Sequence, residues 1–242
     1  MLVELLCRKL ESATADSIVI LVGALLCIAL PYLMGSINPA ILFSKLLYHD
    51  DIRTHGSGNA GTTNMLRTFG LKAAILTLLC DFLKAILAVF LGNLILGFNG
   101  MGGSIAGFFV VFGHMFPVFY GFKGGKGVAC AGMVALAINP VIFLFLLLIF
   151  LVVAIGTRLV SMASVMCALF YPLLFNAFAP YVNLSVVMAF LITVFVIFMH
   201  RENLKRIWNH EEAKLDLSKF SRKKKKSAEE EATEASSEKD EA

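Results

Sequence analysis

Long apolar runs alternate with short polar segments through most of this chain. The runs, at roughly residues 17–47, 72–97, 101–117, 127–140, 141–157, 159–178 and 180–200, are each read as a membrane helix, several being shorter than the ~20 residues that cross a bilayer untilted. The expected fold is therefore an all-α integral membrane protein of about seven transmembrane helices. The weakest span, Val128 to Asn139, is short and rich in small residues, and Asn139-Pro140 supplies its turn into the next. The first run is expected to break, because Pro31 and Pro39 flank Gly35-Ser36-Ile37-Asn38 and each proline frees a helical carbonyl. A broken membrane helix is tolerated where it lines a cavity or is buried, which makes Ser36 and Asn38 candidate ligand contacts. The alternative is a packing kink with Ser36 bonded back to its own helix. Gly103-Ser104-Ile105-Ala106-Gly107 is a GxxxG, read as close helix packing.

Composition supports the membrane assignment. A chain of 242 residues with 58% hydrophobic content and a mean hydropathy of +0.81 carries more apolar surface than a soluble domain of that size buries. Residues 1–16 form an N-terminal extension without the layout of a cleaved signal peptide, 17–212 the membrane domain, and 213–242 a charged tail expected to be disordered. The Lys205-Arg206 pair and the Lys223–Lys226 run follow the last span, so the positive-inside rule puts the C-terminus in the cytoplasm. An odd number of spans then leaves the N-terminus outside. Segments 48–71, 118–126 and 200–212 all fall on the cytoplasmic side under this assignment.

These three segments carry the polar chemistry. Between Ser17 and His200 the acidic residues are Asp50, Asp51 and Asp81, against the basic Lys45, Arg53, Arg67, Lys72, Lys84, Lys123, Lys126 and Arg158, an imbalance that favours anionic ligands. Gly56-Ser57-Gly58-Asn59-Ala60-Gly61 spells GxGxxG, but no strand precedes it, so the dinucleotide reading fails. Gly121 through Gly127 is not a P-loop either, since Gly127 stands where a Ser or Thr is required. What remains is physical: glycines let backbone N–H groups turn toward one anion, the lysines add charge, and Thr62 or Thr63 caps a short helix. Asn59 and Asn64 lie within or beside the first glycine turn. Asp81 and Lys84, at i and i+3, are read as a structural buried ion pair. His114 is either a helix cap or a base. Ser161 and Ser164 face the basic region or bond to their own helix. The five cysteines show no metal spacing and are read as free thiols; no metal and no cofactor is expected.

Together the motifs closely resemble the bacterial acyl-phosphate:glycerol-3-phosphate acyltransferases, the PlsY family, over residues 20–212. Gly35-Ser36-Ile37-Asn38-Pro39 with Gly56 to Asn64 matches the family's first motif, Gly113-His114-Met115-Phe116-Pro117 through Lys123-Gly124-Gly125-Lys126-Gly127 its second, and His200, Asn203 and Glu212 its third. Thr62 stands where alanine is usual, the first proline is displaced by one residue, and His210 replaces a glycine. The resemblance implies acyl transfer from acyl phosphate to glycerol 3-phosphate, giving lysophosphatidic acid and phosphate, the first acylation of phospholipid synthesis. It makes Ser36, Arg53, His200 and Asn203 the catalytic set and Gly124-Gly125-Lys126-Gly127 the glycerol-phosphate site, with Glu212 structural. Gly56, Ser57, Gly58, Asn59, Gly61, Asn64, His114, Lys123, Ser161 and Ser164 are the further substrate contacts expected. It also implies a bacterial inner-membrane location and functional coupling to the enzyme that supplies acyl phosphate; no nucleic-acid partner is expected.

The chemistry agrees with that implication. Acyl phosphate carries a good leaving group, so the site needs mainly to align two anions and stabilise the departing phosphate. No histidine here has an aspartate five residues on, so the His-x4-Asp base of other glycerolipid acyltransferases is absent. The hydroxyl proton is left to a substrate phosphate oxygen or to His200. The rival classes are a transporter or channel for a phosphorylated metabolite, against which no internal repeat is visible, and a lipid-binding scaffold recruited through the basic tail.

Overall fold

The computed structural model describes residues 1–10, 13–97, 100–179 and 183–214. The Lys223–Lys226 run and most of the charged tail lie outside the described residues, as do parts of the turns expected near Phe98 and Pro180. Among the described residues every regular element is helical. They are α1 (Leu2–Leu10), α2 (Ala13–Ser36), α3 (Pro39–Tyr48), α4 (Thr62–Thr68), α5 (Leu71–Leu96), α6 (Met101–Met115), α7 (Val128–Ile138), α8 (Pro140–Thr157), α9 (Val160–Phe178), α10 (Asn183–Met199) and α11 (Arg201–Trp208), with 3-10 turns at Ile52–Thr54 and Val118–Tyr120.

Among the described residues five stretches are long and apolar enough to cross a bilayer: Thr14–Tyr48, Leu71–Leu96, Met101–Tyr120, Pro140–Thr157 and Val160–Phe178. Helix α10, with 17 residues, passes only when taken together with α11 across a 54° bend, which brings the number to at most six. The remaining expected span, α7, has 11 residues and so reaches only about 17 Å, short of the ~30 Å apolar core. Outward faces such as Leu144, Leu148, Val152 and Ile155 of α8 are exposed, the latter by 65%, which is the surface of an integral membrane protein.

Close backbone contact holds the bundle. A Cβ on Gly92 would fall on Gly102 O and the reverse, and Gly35 and Gly113 sit against Val110 O and Tyr32 O, so α6 touches α5 and α2 backbone to backbone. Of the expected GxxxG, Gly103 N–H donates to Asn93 Oδ1 at 2.8 Å and Gly107 abuts Val134. The core between α5, α6, α7, α9 and α10 is filled by residues such as Val89, Val111, Met115, Val134, Phe175 and Ile192. α1, which the sequence left unassigned, docks Val3 against Cys27, Ile95 and Leu96. The five cysteines are free thiols.

The first run breaks as expected, but at Ile37–Asn38 only; helix α2 continues through Pro31. Pro39 has no N–H for Gly35 O, four residues before it. Lys84 Nζ supplies the missing donor, lying 3.1 Å from Gly35 O, 2.8 Å from Ile37 O and 2.9 Å from Asp81 Oδ1. The expected Asp81–Lys84 pair is thus present and also caps the broken helix. Truncating one partner of a buried pair leaves an uncompensated charge, so Lys84→Met should cost ~3–5 kcal/mol. Thermal unfolding in detergent should show that loss, with part recovered in the Lys84→Met/Asp81→Asn double variant.

Candidate active site

Three loops that are distant in sequence meet above one cavity of about 720 Å³. The first is the glycine turn before α4. Asn64, almost fully buried, organises it: its Oδ1 accepts from Ser57 N–H at 3.1 Å, and its Nδ2 donates to Ile52 O and His55 O at 3.1 and 2.9 Å. Gly56 adopts φ +56°, and a Cβ there would strike Asn64 Oδ1, so glycine is required. Gly56, Ser57, Asn59, Gly61 and Asn64 all line the cavity, whereas Gly58 does not. Gly61 is the N-cap of α4, and Thr62 and Thr63 are its first helical residues rather than caps.

The second loop delivers Lys126 and the start of α7. Gly127 caps α7 at φ +78° with no side-chain cap, and Gly127, Val128 and Ala129 border the cavity, which leaves first-turn amides available beside Lys126. The third is the bend between α10 and α11. Lys126 Nζ donates to Asn203 Oδ1, and Asn203 Nδ2 donates to Ser161 Oγ at 2.8 Å and to Glu212 Oε1 at 2.7 Å. Ser161 Oγ and Arg206 Nε also donate to Glu212, at 2.5 and 2.8 Å. This chain of contacts joins the loop before α7 to α9 and α11. Burial would raise the Glu212 carboxyl, but the bonds from Ser161, Asn203 and Arg206 prevail and hold it below its ordinary value. Burial brings the Lys126 ammonium down to about 8; Glu212 opposes this, while Arg206 and Arg67 act with it.

Two histidines reach the cavity. His200 Nδ1 lies 2.8 Å from Val196 O, and only an N–H can make that bond, so Nε2 is left as an acceptor in the neutral ring. His114 Nδ1 lies 3.1 Å from Asp81 Oδ1 and 3.0 Å from Lys84 Nζ. The three ammonium donors go to Gly35 O, Ile37 O and Asp81, so His114 Nδ1–H donates to Asp81. Asp81, His114 and Cys130 hold ligand atoms within 4.8 Å of one another, but the Lys84 ammonium already fills the cation position there.

Several expected contacts lie elsewhere. Ser36 is fully buried away from the cavity, its Oγ accepting from Val118 N–H at 3.3 Å. Asn38 is the N-cap of α3 and donates to Ala60 O at 3.2 Å. Arg53 is held by Asp51, with Nη2 2.7 Å from Oδ2, and donates from Nη1 to Tyr120 O at 2.9 Å. It staples the first loop to the second instead of facing the cavity. Gly124 and Gly125 are not an anion cradle: their N–H groups donate to Met115 O and His114 O at 3.2 and 3.1 Å, and a Cβ on Gly125 would fall on His114 Nε2. Lys123 is exposed and off the cavity wall. Ser164 does line it, though its hydroxyl donates to Val160 O at 2.9 Å. Arg67 and Arg206 line the mouth and went unselected from sequence; the signal was a cation three residues beyond each of Asn64 and Asn203.

Below this cationic mouth the walls turn apolar. Leu78 and Phe82 of α5, Phe143, Leu147 and Phe150 of α8, and Val196 of α10 continue the same cavity. The combination defines a class: a helical membrane protein whose cavity has a cationic mouth and an apolar interior. The sequence profile of the glycerol-3-phosphate acyltransferase family matches residues 25–210. Curated proteins named glycerol-3-phosphate acyltransferase are 40% identical over 195 residues in Streptococcus thermophilus, covering 78% of this chain and 91% of that one, and 40% identical over 190 residues in Bacillus subtilis, covering 78% and 96%. A crystal structure of PlsY (YgiH), an integral membrane glycerol 3-phosphate acyltransferase, in its glycerol 3-phosphate form is similar with a TM-score of 0.76 and 36% identity, over 81% of this chain and 98% of that chain. The lysophosphatidic acid form gives 0.72 and 36%, over 80% and 95%. The chain belongs to the glycerol-3-phosphate acyltransferase family.

The placement of Arg53 is testable on stability alone. The Arg53 bonds hold the Asp51 carboxyl down at about 2, so their contribution is complete above the ordinary carboxylate value and is lost as pH falls through about 2. At neutral pH, Arg53→Ala and Asp51→Asn should be non-additive, with a coupling of roughly 0.5–3 kcal/mol in thermal unfolding. Additive losses would mean that the two side chains act separately.

Proposed function

We propose that this protein transfers a fatty acyl group from acyl phosphate to glycerol 3-phosphate, forming lysophosphatidic acid and inorganic phosphate at the cytoplasmic face of a bacterial inner membrane. One observation carries the reading: a single cavity joins a mouth of Lys126, Arg67 and Arg206 to an apolar interior. Two phosphate-bearing reactants need cations and amides at the surface, and a fatty acyl chain needs the space below. Family membership and the glycerol 3-phosphate and lysophosphatidic acid forms of a similar structure support the acceptor and the product. A conduit for a phosphorylated metabolite fits less well, because the inner end of the cavity is apolar and bounded by Tyr171 and Ile192.

In this reading the glycerol hydroxyl oxygen attacks the acyl carbonyl carbon, and the bond from that carbon to the phosphate oxygen breaks. Phosphate departs with the electron pair into the field of Lys126 and the α7 amides, whose preorganised donors need no rearrangement as charge develops. His200 Nε2, left free as an acceptor by the bond from Nδ1 to Val196 O, takes the hydroxyl proton and returns it to the phosphate. Arg53 and Ser36 act through the loops they hold. Coupling to the enzyme that makes acyl phosphate follows from the reactivity of that donor.

Lys126 gives a signed expectation in pH. Anion binding needs its charged form, so kcat/KM for glycerol 3-phosphate should fall as pH rises through about 8. Arginine stays charged, so Lys126→Arg should move that limb to higher pH, and Lys126→Ala should lose ~1.5–3 kcal/mol of transition-state binding at neutral pH. An alkaline limb unchanged in the arginine variant would assign it to another group.

The donor can be tested on purified protein with glycerol 3-phosphate and no divalent metal, supplied in turn with acyl phosphate, acyl-CoA and acyl carrier protein thioester. Turnover is expected with acyl phosphate alone. Robust turnover with either thioester, or an absolute need for metal, would overturn the mechanism.

A further inference from the structure

We infer that Tyr171 and Ile192 form a fixed floor that sets the longest acyl chain this site accepts. The inference rests on the acyl-transfer reading above, under which the apolar cavity is the acyl pocket. Tyr171 lies ten residues along α9 from Ser161 at the mouth, which places it about 15 Å deeper, and Ile192 lies eight residues back along α10 from His200, about 12 Å deeper. The two helices therefore bring a ring and a branched side chain to similar depth.

Both residues also line a second, separate void of about 10 Å³ farther in, bordered by Val134, Phe175 and Met188. They are the side chains shared by the two spaces, and so form the partition between them. The wall just above them is built from small residues, Ala131, Gly132 and Ala168, which leave room for a chain to run down to the partition and no farther. Beyond it stands the Ser104–Ser185 hydroxyl pair, 2.5 Å apart, a poor neighbour for a terminal methyl group.

The floor is braced on three sides. Tyr171 Oη donates to Ala131 O of α7 at 2.9 Å, and its ring stacks on Phe175 with centroids 4.8 Å apart. Pro172 has no N–H for Ala168 O, and Thr193 Oγ1 of α10 lies 2.7 Å from that carbonyl, joining α9 to α10 one residue from Ile192. A partition pinned by hydrogen bonds to two neighbouring helices does not swing aside as a lone side chain would.

The test measures kcat/KM on a series of saturated acyl phosphates of increasing length, at saturating glycerol 3-phosphate. For the natural chain, efficiency should rise by roughly fourfold per buried methylene and then stop or fall once the methyl end meets the floor. Tyr171→Leu and Ile192→Ala should each move that limit to longer chains while leaving KM for glycerol 3-phosphate unchanged. No break in the natural enzyme's series, or a break that neither variant moves, would overturn the floor while the acyl-transfer reading stood. Failure of the natural enzyme to use any acyl phosphate would instead remove the reading and the floor with it. Should one variant fail to fold, the other still decides, since each alone is expected to move the break.

Discussion

The fold depends on one ammonium group. Pro39 deletes the amide that Gly35 O would have accepted from, and in the bilayer no water replaces it. Lys84, in the middle of α5, fills that vacancy and also reaches Ile37 O, while Asp81 one turn earlier balances its charge. A buried ion pair is weak evidence for stability in itself, since desolvation offsets most of its attraction. Here it permits a sharp break between α2 and α3, and the break lets Asn38 hold Ala60 O and Ser36 receive Val118 N–H. Asp81 in turn orients His114, whose carbonyl anchors Gly125. The polar mouth is assembled outward from this single repair.

The mouth itself is a balance of charge. Lys126, Arg67 and Arg206 face Glu212, and the carboxylate is committed to Ser161, Asn203 and Arg206. That arrangement keeps like charges close without a bound anion and leaves a net positive field for one. Burial is what chiefly lowers the Lys126 ammonium there, with Glu212 opposing and Arg206 and Arg67 adding to it. In the proposed reaction a phosphate beside Lys126 favours the charged ammonium, so binding and charge state are linked at the same side chain.

Much of this was legible in the sequence. Apolar periodicity located the membrane helices, Pro39 located the break, and the i,i+3 spacing located the Asp81–Lys84 pair. The resemblance to a known family brought Lys126, His200, Asn203 and Glu212 together before any geometry did. What sequence could not separate was a polar residue facing a cavity from one bracing a loop. Arg53 answers to Asp51 two positions away, and Gly124 and Gly125 are small because His114 lies against them. Such roles depend on which groups the folded loops bring together, such as Arg53 and Tyr120 O, and spacing along the chain does not fix that. Arg67 and Arg206 are hidden for the converse reason, each lying one turn past an asparagine whose motif is the stronger signal. The floor at Tyr171 was hidden because a tyrosine in an apolar helix reads as core.

In the proposed function three segments far apart in sequence form one mouth for one phosphate-bearing acceptor. Single cysteines at the exposed positions Ser57, Lys123 and Glu211, in a cysteine-depleted background, place a reporter on each segment. Labelling by an impermeant maleimide, with and without glycerol 3-phosphate, measures the side each faces and what the acceptor covers. All three should react from the cytoplasmic side only, with Ser57 and Glu211, which line the mouth, protected by glycerol 3-phosphate and Lys123 not. Reaction of any one from the opposite side, or protection of none, would contradict a common site.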